Sequence, residues 1–86
     1  MTRISDDEVE GRVRSTIGRV FRLPPADDAN ELQMGNPPQW DSLGHMQLLV
    51  EIENEFGIRF QTHEIAGLTT SGKLAAAVRA HSEAQR

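Results

Sequence analysis

Apolar residues recur along this chain at helical period in some stretches and lose that period in others. Val9, Val13, Ile17, Val20 and Phe21 share one face of a helix. Ser5 stands where an N-cap belongs, and Glu8 follows at the capping-box distance. Asp6, Asp7 and Glu8 also suit the positive end of the helix dipole, and arginines fall late, where the negative end favours them. The pattern predicts a first helix over residues 5–22, ended by Pro24-Pro25. Residues 23–41 hold all four prolines and read as one long connection. Loops of that length in so small a domain are functional or mobile, and this one is no interdomain linker because neither flank could fold alone.

Asp41 or Ser42 caps a second helix running to Phe56, with Gly57 as its C′ residue. Ile58, Arg59, Phe60 and Gln61 alternate like a strand but have no partner strand, so an extended loop that buries Phe60 is expected. Thr62 can cap a short turn over 62–67, and Thr69-Thr70 a last helix over 70–84 with Leu74, Val78 and His81 on one side. The tail from Ser82 to Arg86 should fray. The fold expected is all-α: a small four-helix bundle with three longer helices and one short one, forming a single domain over residues 1–86. At this size the core is modest, and a deep substrate cleft is not expected.

The second helix carries more apolar surface than one core stripe needs. At about 100° per residue from Ser42, one arc near 240–340° holds Leu48, Leu49, Ile52 and Phe56, and another near 40–100° holds Leu43, Met46 and Val50. The first is the natural core face. The second is either wrapped by the bundle or left as an exposed apolar patch bordered by Gln47 and Glu51. Glu53 lies between the arcs.

Charge narrows the chemistry. The 86 residues carry a formal charge of −4, against the basic face that a nucleic-acid binder needs. The charge is uneven: residues 1–22 are +1, residues 23–64 are −7 and residues 65–86 are +2. That acidic block is an ordinary solvated face or a surface that steers a basic partner. The chain has no cysteine, so it has no disulfide, thiolate metal site or nucleophilic thiol of its own. Its apolar runs, such as Leu48-Leu49-Val50, are far short of a membrane span, and Met1–Ser5 has no apolar signal region. A cytoplasmic monomer without nucleic-acid or membrane partners is expected.

Ser42 stands where the proline-rich connection meets a helix start. Free amides and a partial positive charge there suit a phosphate. An Asp-Ser pair in that position is more often just a cap. The wider string changes the balance. Trp40-Asp41-Ser42-Leu43-Gly44-His45-Met46, followed by Leu48-Leu49-Val50-Glu51-Ile52-Glu53-Asn54-Glu55-Phe56-Gly57-Ile58, resembles the phosphopantetheine attachment site of acyl carrier proteins. Leu68-Thr69-Thr70 and the alanine-rich last helix are similar to the end of that family, while the first helix and acidic loop match only in character.

The resemblance implies a carrier and not an enzyme. Ser42 would take a 4′-phosphopantetheine arm from coenzyme A through a phosphopantetheinyl transferase. The arm's thiol would hold an acyl or aminoacyl group as a thioester, supplying the sulfur that the chain lacks. Asp41 would help the transferase and its metal reach the serine. Leu43, Met46, Gln47, Val50 and Glu51 would form the surface for that enzyme and for acyl-loading and acyl-processing enzymes. By the same correspondence Leu48, Ile52, Phe56, Phe60 and Leu68 are core.

Gly44 and Gln47 replace polar or acidic residues common in the family, and Gly44 should cost the helix up to about 1 kcal/mol. With Trp40 and His45-Met46, these departures point away from the housekeeping fatty-acid carrier and toward freestanding carriers of polyketide, nonribosomal peptide or similar pathways. Ser71 replaces a usual valine, with no function evident from the sequence. Two rivals remain. Asp41, Ser42 and His45 could suggest a hydrolase, but Asp41 is badly placed to orient His45 and no nucleophile elbow is present. His45, His63 and His81 have no zinc-ligand spacing. An unmodified helical interaction module would share the fold and the acidic helix.

Overall fold

A computed structural model describes residues 6–23 and 32–84. Four helices follow in order: α1 (Asp6–Phe21), α2 (Ser42–Phe56), α3 (Thr62–Ile65) and α4 (Ser71–Ala84). The chain is all-α, with no strand among the described residues beyond isolated bridges at Gln33. None of these helices is long and apolar enough to cross a membrane.

The periodic residues of α1 become its buried stripe. Val9, Val13, Ile17 and Phe21 face a core completed by Leu48, Leu49 and Ile52 of α2 and by Leu74, Ala75 and Val78 of α4. Side chains buried this fully contribute about 1.5–3 kcal/mol each, and they hold α1 against both other long helices. Ile58, Phe60 and Leu68 close the core from the connections. Phe56 sits at the edge of the core rather than inside it, with the Arg12 guanidinium 4.6 Å above its ring.

Helix ends follow local chemistry, with differences from the sequence expectation. The Ser5 cap and the Pro24-Pro25 stop lie outside the described residues. Within them, α1 ends on Arg22, whose φ of 56° is left-handed, and Leu23 N–H donates to Gly18 C=O at 2.9 Å. That six-to-one bond is a Schellman closure with an arginine where glycine is usual. Gly57 does take the left-handed C′ position after α2, at φ 66°. The cap of α3 is Gln61 and not Thr62, because Glu64 reaches back to Gln61 N–H at 2.7 Å in a reciprocal capping box. Thr70 caps α4 from just outside it, its hydroxyl accepting from Lys73 N–H at 3.1 Å.

The second half of the long connection is built and not slack. Gln33 and Asn36 exchange backbone hydrogen bonds, and Gly35, at φ 89°, donates to Trp40 C=O. Met34 N–H bonds Thr69 C=O, and Ser71 N–H bonds Leu32 C=O at 2.7 Å. The buried Ser71 hydroxyl accepts from Leu32 N–H at 3.1 Å. Ser71 therefore clasps residue 32 with both its amide and its hydroxyl, which a valine could not do.

Candidate functional site at the start of α2

Trp40 anchors the approach to α2. It is fully buried, with Phe21 at 6.0 Å between ring centroids, and its indole N–H donates to His45 Nδ1 at 2.9 Å. The indole nitrogen only donates, so His45 Nδ1 accepts and Nε2 carries the proton. That Nε2–H then donates to Ile65 C=O at 2.9 Å. His45 thus joins the connection, α2 and α3, and both its ring nitrogens are occupied.

Asp41 is the N-cap of α2. Its Oδ1 accepts from Gly44 N–H at 2.8 Å, and its carbonyl accepts from His45 N–H at 2.7 Å. Such a cap is worth about 1 kcal/mol. Ser42 is consequently the first helical residue and not the cap. It is exposed, as is Asp41. Its backbone is fixed by the cap on one side and by buried Gly44 and His45 on the other. Ser42 also sits at the positive end of the helix, where an anionic group is stabilised by about 0.3–1 kcal/mol.

Gly44 is required by close approach. A Cβ there would overlap the Gln39 carbonyl oxygen, and would stand 2.9 Å from Phe21 Cε1 and 3.3 Å from Asp41 Oδ1. From the sequence alone, Gly44 shows only its helix-propensity cost. An open cleft of about 350 Å³ lies beside this packing point, bounded by Phe21, Arg22, Gln39, Asp41, Leu43 and Gly44. It lies between the end of α1 and the start of α2.

The second apolar arc is exposed. Leu43 is 70%, Met46 47% and Val50 51% accessible, which decides against a bundle that wraps both arcs. Gln47 is exposed beside them. The acids of α2 are engaged within the chain. Glu51 meets Arg19 of α1 at 3.3 Å, and Glu55 holds Arg12 of α1 at 2.9 Å. Arg12 also donates to the Glu55 carbonyl at 3.1 Å. Glu53 accepts from Phe60 N–H at 2.8 Å, tying the extended loop to the helix. Sequence reasoning missed these pairings, since Arg12, Arg19 and Phe60 carry no local mark of which carboxylate they will meet.

Asp41, Ser42 and His45 do not assemble as a hydrolytic triad. Asp41 faces the Gly44 amide, and the His45 ring is turned to Trp40 and Ile65. His63 is exposed on α3, while His81 of α4 bonds the Glu64 carboxylate at 3.0 Å, with its ring edge-on to Phe60. Glu64 is held below the ordinary carboxylate range chiefly by the Gln61 amide; burial opposes this, and His81 and His63 add to the lowering. No group of three or more His, Asp or Glu side chains among the described residues is placed to hold a metal ion.

No protein-family model matches the chain, and no solved structure matches it.

Proposed function

We propose that this chain is a carrier protein, with Ser42 as the attachment point for 4′-phosphopantetheine. The observation that carries the reading is the exposure of Ser42 on a locked helix start beside an exposed apolar stripe. In the attachment step Ser42 Oγ attacks the coenzyme A phosphorus that bears the pantetheine. The Ser42 O–P bond forms, the bond to the adenosine 3′,5′-bisphosphate leaving group breaks, and the hydroxyl proton passes to a base of the transferase. The residues fit the group: the helix start favours the phosphodiester's charge, and Asp41 presents an exposed carboxylate to the transferase and its metal.

The bound arm supplies the thiol on which acyl or aminoacyl cargo is carried as a thioester. Ser42 holds that arm at a fixed exit point, and the Leu43, Met46 and Val50 stripe meets the loading and processing enzymes. The pathway proposed is of specialised polyketide, nonribosomal peptide or fatty-acid-like type, in the cytoplasm. The exposed stripe would equally serve an unmodified helical interaction module, and one measurement separates the two. Incubation with coenzyme A and a broad-specificity transferase should add one phosphopantetheine mass to the intact protein. No adduct would remove the carrier reading. An adduct that persists in Ser42→Ala would remove the site assignment.

A further inference from the structure

The three carboxylates of α2 all have partners inside the chain. Glu51 is paired with Arg19, Glu55 with Arg12, and Glu53 accepts the Phe60 amide. About the helix axis, Glu53 borders the apolar stripe on one side, with Gln47 and Asn54 between the stripe and Glu51 on the other. Gln47 and Asn54 are neutral and exposed. The outward face of α2 therefore combines three apolar side chains with two amides. Acidic residues are present in the sequence of this helix, but α1 counters two of them with arginines.

We infer that the partner surface that docks on α2 is apolar and hydrogen-bonding rather than basic, and that Arg12 and Arg19 act as built-in counter-ions. This rests on the carrier reading. An enzyme acting on Ser42 must cover the start of α2, and Leu43, Met46 and Val50 extend from there over about 12 Å of helix. A basic partner meeting Glu51 would compete with Arg19 for it, largely an exchange of one exposed ion pair for another. An apolar partner has the whole stripe to cover without breaking any bond.

The test is the second-order rate at which a broad-specificity transferase modifies the full chain, followed by intact mass. The rate should change less than about twofold from roughly 0.1 to 1 M salt, over which the Debye length falls from about 10 to 3 Å. Met46→Gln and Val50→Gln should each lose about tenfold through apolar contact, and Glu51→Gln should lose less than either. Circular dichroism of the exposed-site variants should match the parent, separating docking from folding. A decline of about tenfold or more with salt would overturn the inference, because screening acts on charge and not on apolar contact. A Glu51→Gln loss exceeding that of Val50→Gln would overturn it too. Absence of any adduct at every salt concentration would instead overturn the carrier reading on which it rests.

Discussion

Gly44→Ala should destabilise the protein, against the ordinary helix propensity of the two residues. In an unencumbered helix interior the change gains about 1 kcal/mol. At position 44 the added Cβ meets the Gln39 carbonyl oxygen, a backbone atom that cannot rotate away. Residues around it are held by Trp40 N–H to Pro37 C=O at 3.0 Å and by the Gln39 side chain to Phe21 C=O at 3.2 Å. Relief requires the start of α2 to move off the connection. Overpacking of this kind costs about 1–3 kcal/mol. The same shift weakens the Asp41 cap on Gly44 N–H, worth about 1 kcal/mol. Setting about 3 kcal/mol of these costs against the propensity gain leaves a net loss near 2 kcal/mol. For a domain of this size that lowers Tm by about 8–16 °C. Gly11→Ala and Gly18→Ala are internal controls, since a Cβ at either site in α1 meets nothing within 4 Å. Both should raise Tm, and thermal melts of the three variants make the comparison. If Gly44→Ala melts at or above the parent, the close packing of α2 on Gln39 does not limit this site and the reasoning is wrong.

Two further substitutions probe the supports of the site. Ser71→Val should cost about 1 kcal/mol despite its greater hydrophobicity, because Leu32 N–H loses its hydroxyl acceptor. Denaturant melts and faster hydrogen exchange at Leu32 would show this, whereas a more stable variant with unchanged exchange would refute the clasp. The Glu64 carboxylate, held low chiefly by Gln61 N–H, contributes its stability in full above the ordinary glutamate range and loses it as pH falls through its lowered value. Glu64→Gln should therefore be less stable than the parent at neutral pH by about a few tenths of a kcal/mol, and the gap should close in acid. A gap that is the same at both ends of a pH series of urea melts would contradict that assignment.

What the sequence disclosed was governed by neighbours close along the chain. The α1 stripe from Val9 to Phe21, the Gly57 stop and the buried Phe60 all follow from local period or a local turn, and each stands as expected. The two arcs of α2 were also legible, but which arc was covered depended on where α1 and α4 packed. The rest was hidden because it depends on which groups the folded chain brings together. Gly44 looks like a weak helix residue until Gln39 and Phe21 converge on it. Ser71 looks like a lost valine until Leu32 arrives from the other side of the connection. Even the α3 cap moved by one residue, since Thr62 has the preferred side chain but Glu64 reaches the amide of Gln61.

Contacts on either side hold Ser42 as an exposed group between two anchors. On one side Trp40 is buried and bonded to His45; on the other Gly44 packs against the Gln39 carbonyl. Asp41 and Ser42 are solvent-facing residues between these anchors. In the proposed carrier, a hydroxyl mounted this way would meet the transferase without loop ordering, so less entropy would be lost on docking. The acidic block of the sequence looks at first like a steering charge. On α2, Arg12 and Arg19 counter two of its carboxylates and the Phe60 amide takes the third, so on the inference above the helix would offer a partner shape and apolar area more than charge. The same pairs add exposed contacts between α2 and α1, each worth at most about 1 kcal/mol.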